Sequence, residues 1–152
     1  MIGSDRTLPG EKLGEAMLTG LRILLADDHK AMLERVKGLL DAEFDVVGAV
    51  DNGQALVAAA REFNPDVLVV DVSMPVLNGI DAVRQIRESG GKGRVIFLTV
   101  HEDPDIAHVC FDAGALGFVV KSRLASDLIP AIQLALTDHT FVSPTLPCEG
   151  ES

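Results

Sequence analysis

At 152 residues the chain is about one domain long, enough to bury roughly two thirds of the surface its unfolded form exposes. Its formal charge of −10, from 13 basic and 23 acidic side chains, argues against direct contact with DNA, RNA or an anionic membrane. Cys110 and Cys148 fall in no CxxC or Cys/His cluster, and no apolar run approaches the roughly eighteen residues of a membrane span, which excludes a disulfide framework and a transmembrane anchor and fits a reducing cytoplasm.

The first twenty residues carry Gly3, Ser4, Pro9, Gly10, Gly14 and Gly20 and lack the apolar core of a secretory signal, so residues 1–20 read as a flexible extension. From Leu21 short apolar runs alternate with segments of helical period five times. "LRILLA" is a strand, and "KAMLERVKGLLD" sets Met32, Leu33, Val36, Leu39 and Leu40 on one stripe of a helix. "FDVVGAV" is the second strand, and "GQALVAAAREF" the second helix, with Asn52 as its N-cap and Asn64-Pro65 as its stop.

"DVLVV" is apolar without alternation, the mark of a strand buried on both faces. "IDAVRQIRES" follows as a helix with Ile80, Val83 and Ile86 on one side, ended by "GGKG". "RVIFLTV", "DPDIAHVCFDAG" and "LGFVV" complete a strand, a helix and the fifth strand. The last helix, "SDLIPAIQLALTD", tolerates Pro130 if Ser126 caps it and leaves the proline near the first turn. Residues 138–152, with two prolines and no period, read as a linker or tail.

This alternation predicts a doubly wound α/β fold over residues 21–137. Its five-stranded parallel sheet has flavodoxin-like order 2-1-3-4-5, helices on both faces and right-handed crossovers. A core without Trp or Tyr, built from Val, Leu, Ile, Ala and six Phe, agrees with it.

Polar residues gather at one place in each unit. The first strand ends in Asp27-Asp28, the third in Asp71, the fourth in Thr99 and the fifth in Lys121. In an open parallel sheet those carboxyl ends share an edge, where such folds bind ligands. Three carboxylates in one crevice repel one another, and a divalent cation together with Lys121 would balance them. Mg²⁺ takes about six oxygens and keeps several waters, which suits this set, and Mn²⁺ is possible in its place. A phosphoryl group joined to one carboxylate would find the cation, the Lys121 ammonium and the Thr99 hydroxyl around it.

"RILLADDH", "PDVLVVDVSMPVLNGID", "RVIFLTVHED" and "AGALGFVVK" resemble the receiver, or phosphoacceptor, domain of two-component response regulators. "LLADDH" and "ALTDHTFVSP" further resemble the subfamily whose receivers precede a LuxR/NarL-type helix-turn-helix. The resemblance implies that Asp71 accepts a phosphoryl group from a sensor histidine kinase in a Mg²⁺-dependent reaction. Asp28 would hold the ion, Asp27 would assist through water, and the Ser73 backbone carbonyl would add a ligand. Thr99 and Lys121 would bind phosphoryl oxygens, and Phe118 would turn inward as Thr99 moves, altering the face of the fourth helix, fifth strand and fifth helix. Ser73 and His101, two residues beyond Asp71 and Thr99, would tune the lifetime of the acyl phosphate. The protein would then be a signalling module and not an enzyme, with a kinase and a second copy as candidate partners and an output, transcriptional regulation, in a further domain.

Each residue has a plainer use. Asp71 and Asp27 are common choices for turns and caps, Thr99 and Lys121 for exposed strand ends, and Phe118 for the core. His29, His101, His108 and His139 share no ligand spacing and read as solvated or capping. Ser122 stands where many receivers have proline, often with a cis bond. The expectation is therefore a trans Lys121-Ser122 peptide with an adjusted loop, or stored strain. Two other functions compete: a Mg²⁺-dependent aspartyl-phosphate phosphohydrolase, which would need an acid at Ser73, and a docking scaffold independent of phosphorylation.

Overall fold

The computed structural model describes residues 20–100 and 103–144. In chain order the elements are β1 (Arg22–Ala26), α1 (Lys30–Leu40), β2 (Asp45–Val50), α2 (Gly53–Phe63), β3 (Val67–Asp71) and α3 (Gly79–Glu88). They continue with β4 (Arg94–Thr99), α4 (Pro104–Asp112), β5 (Gly117–Val120), a 3₁₀ turn (Lys121–Arg123), α5 (Leu124–Leu136) and β6 (Phe141–Val142). All strands are parallel, in the order β2-β1-β3-β4-β5-β6.

The predicted five-strand order is present, and a sixth strand extends it. Phe141 and Val142 pair with Gly117 and Phe118, so the segment read as a linker belongs to the sheet as far as Val142. Two residues are too short to show a strand period, and the two bonds that hold them, Phe141 N–H to the Leu116 carbonyl and Ser143 N–H to the Phe118 carbonyl (both 2.9 Å), come from tertiary contact. The 1–20 extension lies outside the described residues except for Gly20.

The sheet separates two apolar layers. One packs Ile23, Leu25, Val69 and Leu98 against Val36 and Leu40 of α1 and Leu128 and Ile132 of α5. The other packs Leu24, Leu68, Val70, Phe97 and Phe118 against Leu56 of α2, Val83 of α3 and Cys110 of α4. Strand β3 is buried along its whole length, as its unbroken apolar run predicts.

Three helices carry side-chain caps, the first of them the expected Asn52. The Asn52 side chain accepts from the Ala55 N–H, Asn78 from Asp81 and Asp103 from Asp105. Helix α5 differs: it begins at Leu124, directly out of the 3₁₀ turn, whose Lys121 carbonyl takes the Leu124 N–H. Ser126 is therefore no cap. Its hydroxyl serves Arg123 and Asp127, and Pro130 sits inside the helix, where its missing N–H leaves the Ser126 carbonyl without the usual partner. Among the described residues no peptide is cis, so Lys121-Ser122 is trans and the 3₁₀ turn is the adjusted loop.

Candidate functional site

The β3–α3 junction sets the floor of the site. Val72 N–H donates to the Leu98 carbonyl and Gly79 N–H to the Val72 carbonyl, folding the loop back onto the strand tip. Gly79 is close enough to the Asp71 carbonyl that any side chain there would collide with it, which is why the helix opens on glycine. Between them Val76 holds φ of +70°, a left-handed conformation unusual for a β-branched residue, and is exposed.

The strand tips bring the predicted residues together. Asp27, Asp71, Thr99 and Lys121 are all buried, at 1%, 4%, 2% and 6% exposure, and Asp28 stands at the rim. Lys121 Nζ lies 2.8 Å from Asp27 Oδ2 and 3.3 Å from Asp71 Oδ2, so one ammonium bridges two carboxylates. Asp27 Oδ2 receives no well-aligned hydrogen bond and relies on that charge. Asp71 Oδ1 accepts from the Ser73 N–H at 3.3 Å. Thr99 pairs in register with Val120, the residue before Lys121.

Burial pushes the Asp71 carboxyl up, and the Asp27 charge adds to it. Lys121 and the Ser73 N–H pull the other way without cancelling them, leaving the carboxyl at about 6. A second cation would relieve the same repulsion. Oxygens of Asp27, Asp28 and Asp71 and a ring nitrogen of His29 lie within 4.8 Å of one another, a group that could hold a metal ion. Three carboxylate oxygens match a hard divalent ion, so the residues present fit Mg²⁺.

His29, expected to be solvated or capping, is largely exposed. It occupies the N-cap position of α1 but makes no side-chain cap. Its Nδ1 instead lies 3.3 Å from Asp27 and 3.1 Å from Asp28. Its place directly after Asp27-Asp28 was the available signal. Phe118 is 2% exposed within the core layer that contains Phe97, already inward. Ser73 is exposed on the loop after Asp71, and His101 lies outside the described residues.

The pattern of the response regulator receiver domain matches residues 23–133. The chain belongs to that family. Receiver domains are signalling modules. The relatives include the response regulator GacA of Pseudomonas viridiflava, 32% identical over 83% of this chain and 60% of that protein. The transcriptional regulatory protein DegU of Brevibacillus brevis is 30% identical over 82% of this chain and 53% of that protein. Among solved structures, a two-component response regulator of the LuxR family from Aurantimonas sp. SI85-9A1 superposes with a TM-score of 0.78. It is 33% identical, over 82% of this chain and 91% of that one. The receiver thus spans about half to three fifths of the two curated relatives. No helix among the described residues is long and apolar enough to cross a membrane.

Proposed function

We propose that Asp71 of this receiver is a phosphoacceptor charged by the phosphohistidine of a sensor kinase. The observation that carries the reading is the Lys121 ammonium held between the buried Asp27 and Asp71 carboxylates at the strand tips. An Asp71 oxygen attacks phosphorus, the N–P bond to the donor imidazole breaks, and its electron pair stays on the imidazole nitrogen. Lys121 and the Thr99 hydroxyl take the phosphoryl oxygens at the strand ends. Asp27, Asp28, Asp71 and the Ser73 carbonyl would hold Mg²⁺, or Mn²⁺, which supplies charge neutralisation when bound.

The altered site then acts on the α4-β5-α5 face. Thr99 and Phe118 are suited to that relay because they lie on adjacent strands, where Phe97 pairs with Phe118 and Thr99 with Val120. That face would contact a partner or a second copy, and the output would be transcriptional, by a domain outside this chain. The relatives named as transcriptional and response regulators support this output. A cytoplasmic setting follows from a kinase donor. We assign residues 1–20 to an extension and begin the linker after Ser143. Ser73 and His101 set the lifetime of the acyl phosphate; exchanging both and finding an unchanged decay rate would remove that role.

The test is direct. Acetyl phosphate with Mg²⁺ adds one phosphoryl group to the wild-type chain, seen by intact mass. Chelating the metal stops uptake, and Asp71→Asn abolishes it. Equal labelling of Asp71→Asn and wild type would overturn the assignment.

A further inference from the structure

Ser143 lies ten residues beyond the stretch that matches the receiver family, yet it is 1% exposed. Its hydroxyl donates to Asp127 Oδ2 at 2.7 Å and accepts from the Val120 N–H at 3.1 Å. A hydroxyl has one donor and two lone pairs, so both bonds can form at once. The direction of the first is fixed because Asp127 is an acceptor. Burial pushes its carboxyl up, but hydrogen bonds from Ser143, Arg123 and Ser126 and the Arg123 charge outweigh that and hold it below its ordinary value.

Asp127 in turn takes Arg123 Nε at 2.8 Å and Ser126 Oγ at 2.9 Å. One buried carboxylate thus ties three points together: the end of β5 through Ser143, the last residue of the 3₁₀ turn, and the first turn of α5. Lys121 lies between the first two points. Val120 precedes it, Arg123 follows it by two residues, and the Ser143 N–H adds a bond to the Phe118 carbonyl at 2.9 Å.

We infer that Ser143 is a positioning residue for Lys121: by bridging Val120 and Asp127 it fixes the corner from which the ammonium reaches Asp27 and Asp71. The inference rests on the phosphoacceptor reading of Asp71 for its effect on phosphoryl binding, but the position of Lys121 can be measured without it. A consequence is that the segment leaving the domain is bonded to the strand that delivers the lysine.

The experiment uses the full chain with Ser143→Ala and, as the conservative variant, Ser143→Thr. Beryllofluoride with Mg²⁺ serves as the phosphoryl mimic. Ser143→Ala weakens beryllofluoride binding about three- to ten-fold, the worth of one lost hydrogen bond, while Mg²⁺ binding alone stays within about two-fold of wild type. Ser143→Thr restores the affinity. A merely structural role would lower the unfolding midpoint and leave beryllofluoride affinity unchanged, and that result overturns the inference, as does an equal loss of both affinities. If wild type binds no beryllofluoride, the phosphoacceptor reading fails on its own. The crystal structure of Ser143→Ala then decides: Lys121 Nζ displaced from Asp27 and Asp71 supports the positioning role, and Nζ in place refutes it.

Discussion

At the N-terminal ends of the strands Asp66 accepts the Arg22 backbone N–H at 2.9 Å, and Arg94 meets Asp138 at 3.2 Å with both side chains open to solvent. At the opposite ends Asp27, Asp71 and Lys121 form the same kind of contacts at similar distances, but almost wholly buried. Residue types and separations barely distinguish the two edges. Solvent does: water screens the first set, whereas the second interacts at a much lower effective dielectric and lifts the Asp71 carboxyl to about 6. Burial turns an ordinary ion pair into a site with unspent charge.

Removing the charge at the buried edge tests this most strongly. Lys121→Met leaves two buried carboxylates facing each other and is expected to lower stability by about 3 kcal/mol in denaturant unfolding without metal. Mg²⁺ should recover more stability in this variant than in wild type, because it becomes the principal remaining counter-charge. An equal response to Mg²⁺ in both would break the comparison.

Crowding at the same edge comes next. Gly79→Ala places a methyl group against the Asp71 carbonyl and is expected to cost about 2 kcal/mol as the loop and helix shift apart. The same variant should slow phosphoryl uptake at temperatures well below its midpoint. Uptake at the wild-type rate would show that the loop moves without disturbing Asp71.

Asp127 gives a pH signature. Its carboxyl is held below the ordinary value in the folded protein, so its contribution is present above the unfolded value of about 3.9 and is lost as pH falls through the folded value. Wild type should therefore lose stability between about pH 5 and pH 3 more steeply than Asp127→Asn, which lacks the titration. Parallel acid profiles would contradict the hydrogen-bonded anion drawn from Ser143, Arg123 and Ser126.

The smallest effect belongs to the exposed edge. Arg94→Ala should change stability by less than about 1 kcal/mol, and the change should shrink further in salt. A loss as large as that of Lys121→Met would mean that exposure does not separate the two edges.

Much of the molecule was legible because its signals are local. The unbroken apolar run of Val67 to Val70 gave a buried central strand, Asn52 caps its helix as expected, and the first, third, fourth and fifth strands end at their polar residues. Two features were not legible. Ser126 looked like a cap because it precedes an apolar stripe, but the 3₁₀ turn had already supplied the first carbonyl acceptor. The sixth strand looked like a linker because two residues show no period, whereas its bonds run to the Leu116 and Phe118 carbonyls.

The sequence alone determined the alternation of strands and helices, the sheet order it implies, and the gathering of Asp27, Asp28, Asp71, Thr99 and Lys121 at one edge. These rest on periodicity and chain direction, which neighbouring residues carry. Only the tertiary structure decided that Lys121 bridges Asp27 and Asp71, and that Phe141 to Ser143 close onto β5. Those contacts join residues 50 and 94 positions apart in the site and 23 apart at Val120 and Ser143, where no local period operates and only the packing of the folded sheet sets the distance.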